Sequence, residues 1–213
     1  MIRNKYATQR LRRNKLKKKK KQFEITVIHV FTACIFAICL FILTSEAKAM
    51  SKPTIITETK SMFVWSLNSC IEHLYEDMSI EKQVPNELIL AQAVVETGWG
   101  VSRFANEANN LFGIRTFNRD VDHMLPDTLT DWPGWGVKVF ASKCDSVEYY
   151  LQIINEVWAY EAFRSLRQRH LQDGSIPDGM ELALTLDSYA TDPNYIPLVR
   201  SVIKNNIRGV YDL

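Results

Sequence analysis

Histidine is scarce in this chain. His29, His73, His123 and His170 are the four present in 213 residues, and none stands at metal-ligand spacing from another or from a cysteine. No metal site is expected, and nothing in the sequence asks for another cofactor. Cysteine is as thin: Cys34 and Cys39 fall in a long apolar run, which leaves Cys70 and Cys144. Two cysteines make no disulfide framework, and one bridge or two buried thiols would account for them equally. No internal repeat is visible. Basic residues are lacking where a nucleic-acid surface would need them. Eleven of the 26 Lys and Arg residues lie within 1–21, so the rest of the chain sets fifteen against 24 Asp and Glu, a balance hidden by the formal net charge of +2. Phosphate recognition requires a basic surface on the recognising domain, and this composition argues against it.

What is there begins with length and composition. With 46% hydrophobic and 23% charged residues, the chain is globular and long enough for one ordinary domain plus an appendage. The appendage is the N-terminus. The basic run of residues 1–22 leads into Ile25–Leu43, ITVIHVFTACIFAICLFIL. At about 1.5 Å per residue this stretch approaches the ~30 Å of a bilayer core. Lysine and arginine on the near side stay in the cytoplasm, which sends the C-terminal part outward. Ala47-Lys48-Ala49 is an A-x-A pattern where a signal peptidase cuts, so residues 23–44 read either as a transmembrane anchor or as a signal peptide. Residues 45–60 read as a linker and 61–213 as the folded domain.

Within that domain one stretch organises the rest. After Pro85, suited to a helix start, Leu88, Ile89, Leu90, Ala91, Ala93, Val94 and Val95 put apolar side chains on nearly every face, the pattern of a helix buried all round. Gly98 stops it, so Glu96 sits at the negative end of the helix dipole above aliphatic neighbours. Both influences disfavour the charged form. A carboxyl group held partly protonated near neutral pH can give a proton to a leaving oxygen, which makes Glu96 the general-acid candidate.

The run AQAVVETGWG (residues 91–100), followed by NNLFGI (109–114), resembles the signature of the glucosaminidase family of glycoside hydrolases, family 73, with its Bax-like branch. The run Tyr189-Ala190-Thr191-Asp192 with Tyr195 is similar to the family's C-terminal motif. The resemblance implies an α+β, mostly α fold: a lysozyme-like helical domain with a small β lobe, preceded here by the N-terminal membrane segment. It implies cleavage of peptidoglycan glycan strands at β-1,4 bonds next to N-acetylglucosamine, with Tyr195 facing the catalytic glutamate. A lytic transglycosylase, which also needs one glutamate, and a wall-binding or scaffolding module without catalysis are the alternative readings.

Periodicity fills in the rest. Phe63, Val64, Leu67, Cys70, Ile71, Leu74, Tyr75 and Met78 give a helix capped by Ser61 and ending near Gln83. Val101–Glu107 reads as a short helix, and Leu111 to Phe140, broken by Gly113, Pro126, Pro133, Gly134 and Gly136, as two or three short strands. Asp145 is a candidate cap for a helix with Val147, Tyr150, Leu151 and Ile154 inside, Tyr160–Gln168 is a short helix, and Asp178 is a candidate cap for Gly179–Ser188. The last helix begins near Ile196, since Pro197 would break a longer one, and runs to Asn206.

Cleaving a glycosidic bond usually takes a second carboxylate. The lobe offers Asp120, Asp122, Asp127 and Asp131 but no glutamate, and Trp135-Gly136 stands where related chains carry one; Asp131 is the nearest candidate. The alternative is a 2-acetamido group on the substrate that supplies its own nucleophile, oriented by Tyr195. Trp99, Phe112, Trp132 and Trp135 are candidate sugar platforms, although packing claims most aromatics. Asn109 and Asn110 could bind N-acetyl or hydroxyl groups or simply fix the turn into the lobe. Tyr189 is a candidate substrate contact as well, although packing is the preferred reading for it.

Overall fold

The computed structural model describes residues 35–36 and 51–211. The chain divides into two units, residues 1–51 and 52–213, and the architecture below is that of the second. Among the described residues no helix is long and apolar enough to cross a membrane. The expected span and the cleavage site at Ala47–Ala49 fall outside them, apart from Ile35 and Phe36, which are helical.

Helix α1, Lys60–Tyr75, buries Phe63, Val64, Leu67, Cys70 and Ile71. Its cap is Thr59, not Ser61: the Thr59 hydroxyl accepts from the Met62 N–H at 3.1 Å. It also stops earlier than periodicity suggests, because the Tyr75 hydroxyl takes up both backbone groups of Val84 and folds the chain back through a 3-10 turn at Ile80–Lys82. The residues before α1 are less of a linker than expected. Ile55 is buried, Ile56 N–H donates to the Ser66 hydroxyl at 2.9 Å, and Lys52 pairs with Asp145 and Glu148.

Helix α2, Asn86–Thr97, packs against α1, a short helix α6 (Gly179–Leu182) and the last helix α7 (Tyr195–Val202). Leu88 to Ala93 are completely buried, as their all-round apolar pattern requires. Gly98 ends α2 with φ 60°, and its N–H closes on the Val94 carbonyl at 2.9 Å. Trp99 and Gly100 continue in the left-handed region, at φ 71° and 79°. A Cβ on Gly100 would lie 2.6 Å from Thr57 Cγ2 and 2.7 Å from the Phe63 ring, so only glycine lets the chain turn there.

Helix α3, Arg103–Glu107, leads into the lobe, a three-stranded antiparallel sheet of β1 (Arg115–Thr116), β2 (His123–Met124) and β3 (Gly136–Lys138) in the order β1-β3-β2. Arg115 pairs with Val137 and His123 with Lys138. Helix α4, Lys143–Glu156, returns to the helical body with Val147, Tyr150, Leu151 and Ile154 inside. Its cap is Ser142, and Asp145 sits in the first turn instead, bonded to Lys52 and Ser142. Cys70 on α1 and Cys144 on α4 form a disulfide, with Cα atoms 5.9 Å apart.

Helix α5, Glu161–Gln172, runs a turn further than periodicity predicts and buries Phe163 and Arg167, whose guanidinium satisfies the Lys82 and Gln83 carbonyls. Asp178 caps α6 as expected, but α6 gives way after Leu182 to a 3-10 turn, Ala183–Thr185. Pro197 falls in the first turn of α7, where its missing N–H would have had no helical partner, so α7 starts at Tyr195 and tolerates it. A π-helical turn, Ile203–Ile207, follows, and Arg208 then reaches back to Glu87 at the start of α2 and to Asp178, the latter at 2.7 Å.

Candidate active site

Glu96 lies in the last turn of α2, half-buried, with its carboxylate facing the turn that opens the lobe. A Cβ built on Gly113 would stand 3.2 Å from Glu96 Oε2. Burial pushes the Glu96 carboxyl up from its ordinary value, and a hydrogen-bonding contact from the Tyr195 hydroxyl pulls the other way. Glu96 and Tyr195, the two ends of the sequence-derived site, are thus brought together.

What holds Tyr195 is a residue that the sequence reading passed over. Gln92 is completely buried one turn below Glu96, on the same face of α2. Its Nε2 donates to the Tyr195 hydroxyl oxygen at 2.9 Å, and its Oε1 accepts from the buried Tyr150 hydroxyl. With its oxygen accepting from Gln92, the Tyr195 hydroxyl has its proton free to donate toward Glu96. Burial, followed by the neighbouring Glu96 charge, pushes the Tyr195 phenol far up, so it stays a proton-bearing donor at any physiological pH. The signal for Gln92 was available: an uncharged polar residue in a helix that is otherwise apolar all round must have a buried partner.

Behind this pair stands a wall of aromatic rings. Tyr189 stacks on Tyr195 with centroids 5.3 Å apart and donates its hydroxyl to the Phe112 carbonyl at 3.0 Å. Phe112 stacks on Tyr150 at 4.3 Å and is buried, so it is a core ring and not a sugar platform. Asn110 is buried as well. Its amide donates to the Ile114 and Lys138 carbonyls, both at 2.9 Å, and its oxygen accepts from the Phe112 and Ile114 N–H groups. Every polar position of Asn110 is therefore used to join the FGI turn to β3, leaving none for a ligand. Asn109 holds φ 52° and donates to the Phe140 and Ala141 carbonyls, again the turn-fixing use.

The three tryptophans remain partly open. Trp99 carries the Lys60 ammonium 4.8 Å from its ring centre, Trp132 meets His123 edge-on at 4.5 Å, and Trp135 lies under the Arg115 guanidinium at 4.0 Å. Asp131 is exposed; its carboxylate meets the Thr130 hydroxyl at 3.4 Å, and no hydrogen bond or ion pair among the described residues joins it to Glu96. Asp127 is engaged with Arg103 at 2.8 Å. A groove of about 630 Å³ lies at the opposite end of α2, between Tyr75, Pro85, Glu87, Ile176 and Arg208, away from this chemistry.

Gly113 is the point at which the lobe meets Glu96, and its φ of 63° lies in the left-handed region. Gly113→Ala is expected to destabilise the fold by about 1–2 kcal/mol while displacing the Glu96 carboxylate. A thermal melt and a turnover assay on one preparation check both halves, and a variant matching wild type in each would contradict the assigned contact.

A carboxyl group whose pKa burial raises is of the kind that can protonate a glycosidic oxygen, and here a tyrosine donor and the lobe lie beside it. Residues 72–208 match the glucosaminidase family, described as mannosyl-glycoprotein endo-beta-N-acetylglucosaminidase. The chain belongs to that family and is a glycoside hydrolase. It is 26% identical to the exo-glucosaminidase LytG of Bacillus subtilis, over 94% of this chain and 70% of that protein. It is 28% identical to the peptidoglycan hydrolase FlgJ of Salmonella typhimurium, over 59% of this chain and 41% of FlgJ. In fold it is similar to a mutant of a peptidoglycan hydrolase from Sphingomonas sp. A1, with a TM-score of 0.51 at 24% identity, covering 70% of this chain and 94% of that one.

Proposed function

We propose that this enzyme acts outside the cytoplasmic membrane, delivered and held there by its N-terminal segment, and cleaves internal β-1,4 bonds of peptidoglycan next to N-acetylglucosamine. The observation that carries the reading is the half-buried Glu96 with its raised carboxyl, set against the Tyr195–Gln92–Tyr150 chain. Glu96 delivers its proton to the leaving oxygen as the bond to the anomeric carbon lengthens and the sugar gains oxocarbenium character. The Tyr195 proton then stabilises the carboxylate left behind.

The group opposite Glu96 is supplied by the substrate. The 2-acetamido oxygen attacks the anomeric carbon, water later opens the resulting ring, and Tyr195 orients the acetamido group at the start. Asp131 is exposed and, among the described residues, its carboxylate meets only the neighbouring Thr130 hydroxyl, with nothing that fixes it toward Glu96, which supports substrate assistance over Asp131. Gly98, Gly113 and Arg115 are exposed, in keeping with an open site that accepts the middle of a strand.

The test is digestion of purified peptidoglycan by the full chain, with fragments analysed by mass and reducing end. Oligomers that have gained water and end in N-acetylglucosamine are expected. Anhydro sugars would indicate the transglycosylase reaction, single released sugars an exo mode, and no cleavage at all would overturn the proposal.

Tyr195→Phe separates the two roles of the phenol. Removing a hydrogen bond that lowers the Glu96 pKa lets that pKa rise further, so the alkaline limb of the rate profile is expected to move to higher pH. The maximal rate should fall about tenfold, the worth of one hydrogen bond made to a charged group. A lower rate with an unmoved limb would leave Tyr195 a contact of the substrate alone.

A further inference from the structure

Arg115 follows Gly113 by two residues, and it is exposed while Ile114 and Thr116 on either side are buried. Gly113 is exposed as well, and a side chain built on it would point at Glu96 Oε2. Two residues span at most about 7 Å of chain. Arg115 therefore leaves the lobe close to the turn that meets Glu96.

Its guanidinium lies 4.0 Å from the centre of the Trp135 ring. Stacked in this way, an arginine keeps its N–H edge available for a planar, two-oxygen acceptor, and the indole holds the plane of the group at little entropic cost. Arg103 and Arg208 each pair with two carboxylates, whereas among the described residues no carboxylate lies within ion-pair distance of Arg115. Acidic residues outnumber basic ones in this part of the chain, so a cation kept off them and braced on a ring beside the cleft is arranged for an anion that is not part of the protein.

We propose that Arg115, braced on Trp135, binds a carboxylate of the substrate next to the bond being cut, so that the enzyme prefers carboxylate-bearing wall glycan to neutral polymers of N-acetylglucosamine. The proposal rests on the peptidoglycan reading above. On intact wall the carboxylate is one carried by the attached peptide, because the lactyl carboxyl of the muramoyl sugar is there tied up in the amide that holds the peptide; on strands freed of peptide the lactyl carboxylate presents the same planar acceptor.

The experiment uses three substrates: intact peptidoglycan, the same material with its carboxylates amidated, and glycan strands stripped of peptide. Wild type, Arg115→Ala and Arg115→Lys are compared by kcat/KM. Binding is read separately by co-sedimentation with the insoluble wall, in chains that also carry Glu96→Gln. Arg115→Ala is expected to lose about tenfold on intact peptidoglycan, mainly through KM, as for one hydrogen bond to a charged group. Arg115→Lys should recover part of the loss, and the difference should shrink at high salt. Amidation should weaken wild type by a similar factor and Arg115→Ala no further. A defect that persists on stripped strands, where removal of the peptide frees the lactyl carboxyl, places the contact close to the muramoyl sugar, and a defect confined to intact wall places it further out on the peptide.

Equal behaviour of wild type and Arg115→Ala on intact wall overturns the proposal. So does an equal loss on intact and amidated wall, which would mean that Arg115 serves the shape of the lobe. If wild type cuts none of the substrates, the peptidoglycan reading falls, while the sedimentation arm still decides whether Arg115 selects a carboxylate.

Discussion

Glu96→Gln should lower the rate of glycan cleavage by about 10²–10⁴-fold, the usual contribution of a positioned general acid. The folded chain should at the same time become no less stable. Glutamine keeps the volume and still accepts a hydrogen bond from Tyr195, but it cannot donate an acidic proton to the leaving oxygen. The Glu96 pKa is raised on folding, so the native state holds this proton more tightly than the unfolded chain does. Stability from this group is therefore complete below the unfolded value and is lost as pH climbs through the raised folded value. In neutral buffer the wild type carries the penalty of a half-buried carboxylate and the glutamine variant does not. Melting curves at pH 4 and pH 7 should coincide at the lower pH and favour the variant at the higher. Activity should also decline in wild type as pH rises through that same value, because the acid loses its proton. Equal turnover by the two proteins would remove Glu96 from the mechanism, and a collapsed melt would mean that the carboxylate supports the fold instead.

Removing the Cys70–Cys144 bridge is expected to be the largest single loss of stability available in this domain. The two positions are 74 residues apart. In the chain-entropy account a closed loop of this size stabilises by about 4 kcal/mol. For a domain of this length that is a fall in melting temperature of roughly 10 °C. Alanine is the right replacement at both positions, because both sulfurs are completely buried and serine would leave hydroxyls without partners. The bridge joins α1 to the first turn of α4, the helix that follows the lobe. Wild type melted in strong reductant should approach the double variant. Identical melts for wild type and the double variant under oxidising conditions would show that the thiols are not joined.

How much of this was legible beforehand varies with the kind of signal. The buried helix ending at Gly98 was readable because seven apolar residues and one glycine say the same thing. Short-range caps were harder: Thr59 and Ser142 won over Ser61 and Asp145, since side-chain oxygens two or three residues apart offer alternative helix starts and local pattern does not rank them. The early end of α1 depended on Tyr75 reaching Val84, a contact that periodicity cannot register. Cys70 and Cys144 could be counted but not paired, because pairing needs their Cα separation. Asn109 and Asn110 had two readings of equal weight, and backbone carbonyls from β3 and the segment after it decided for the turn. Gln92 carries no charge to mark it, although an amide inside an apolar helix is the louder anomaly. Arg115 could not be read at all without Trp135 folded beneath it.

The contacts of Arg208 with Glu87 and Asp178 have a consequence for the acid at the far end of α2. Exposed ion pairs of this kind contribute only about 0–1 kcal/mol, so the cluster is a poor stabiliser. Its effect is directional. Glu87 and Glu96 are nine residues apart on one rigid helix, about 14 Å along its axis. A helix gripped at its first turn and wedged along its length has its rotation and its axial position set together. The Glu96 carboxyl group at the other end inherits both, so its aim is governed partly by charges at the opposite end of the helix.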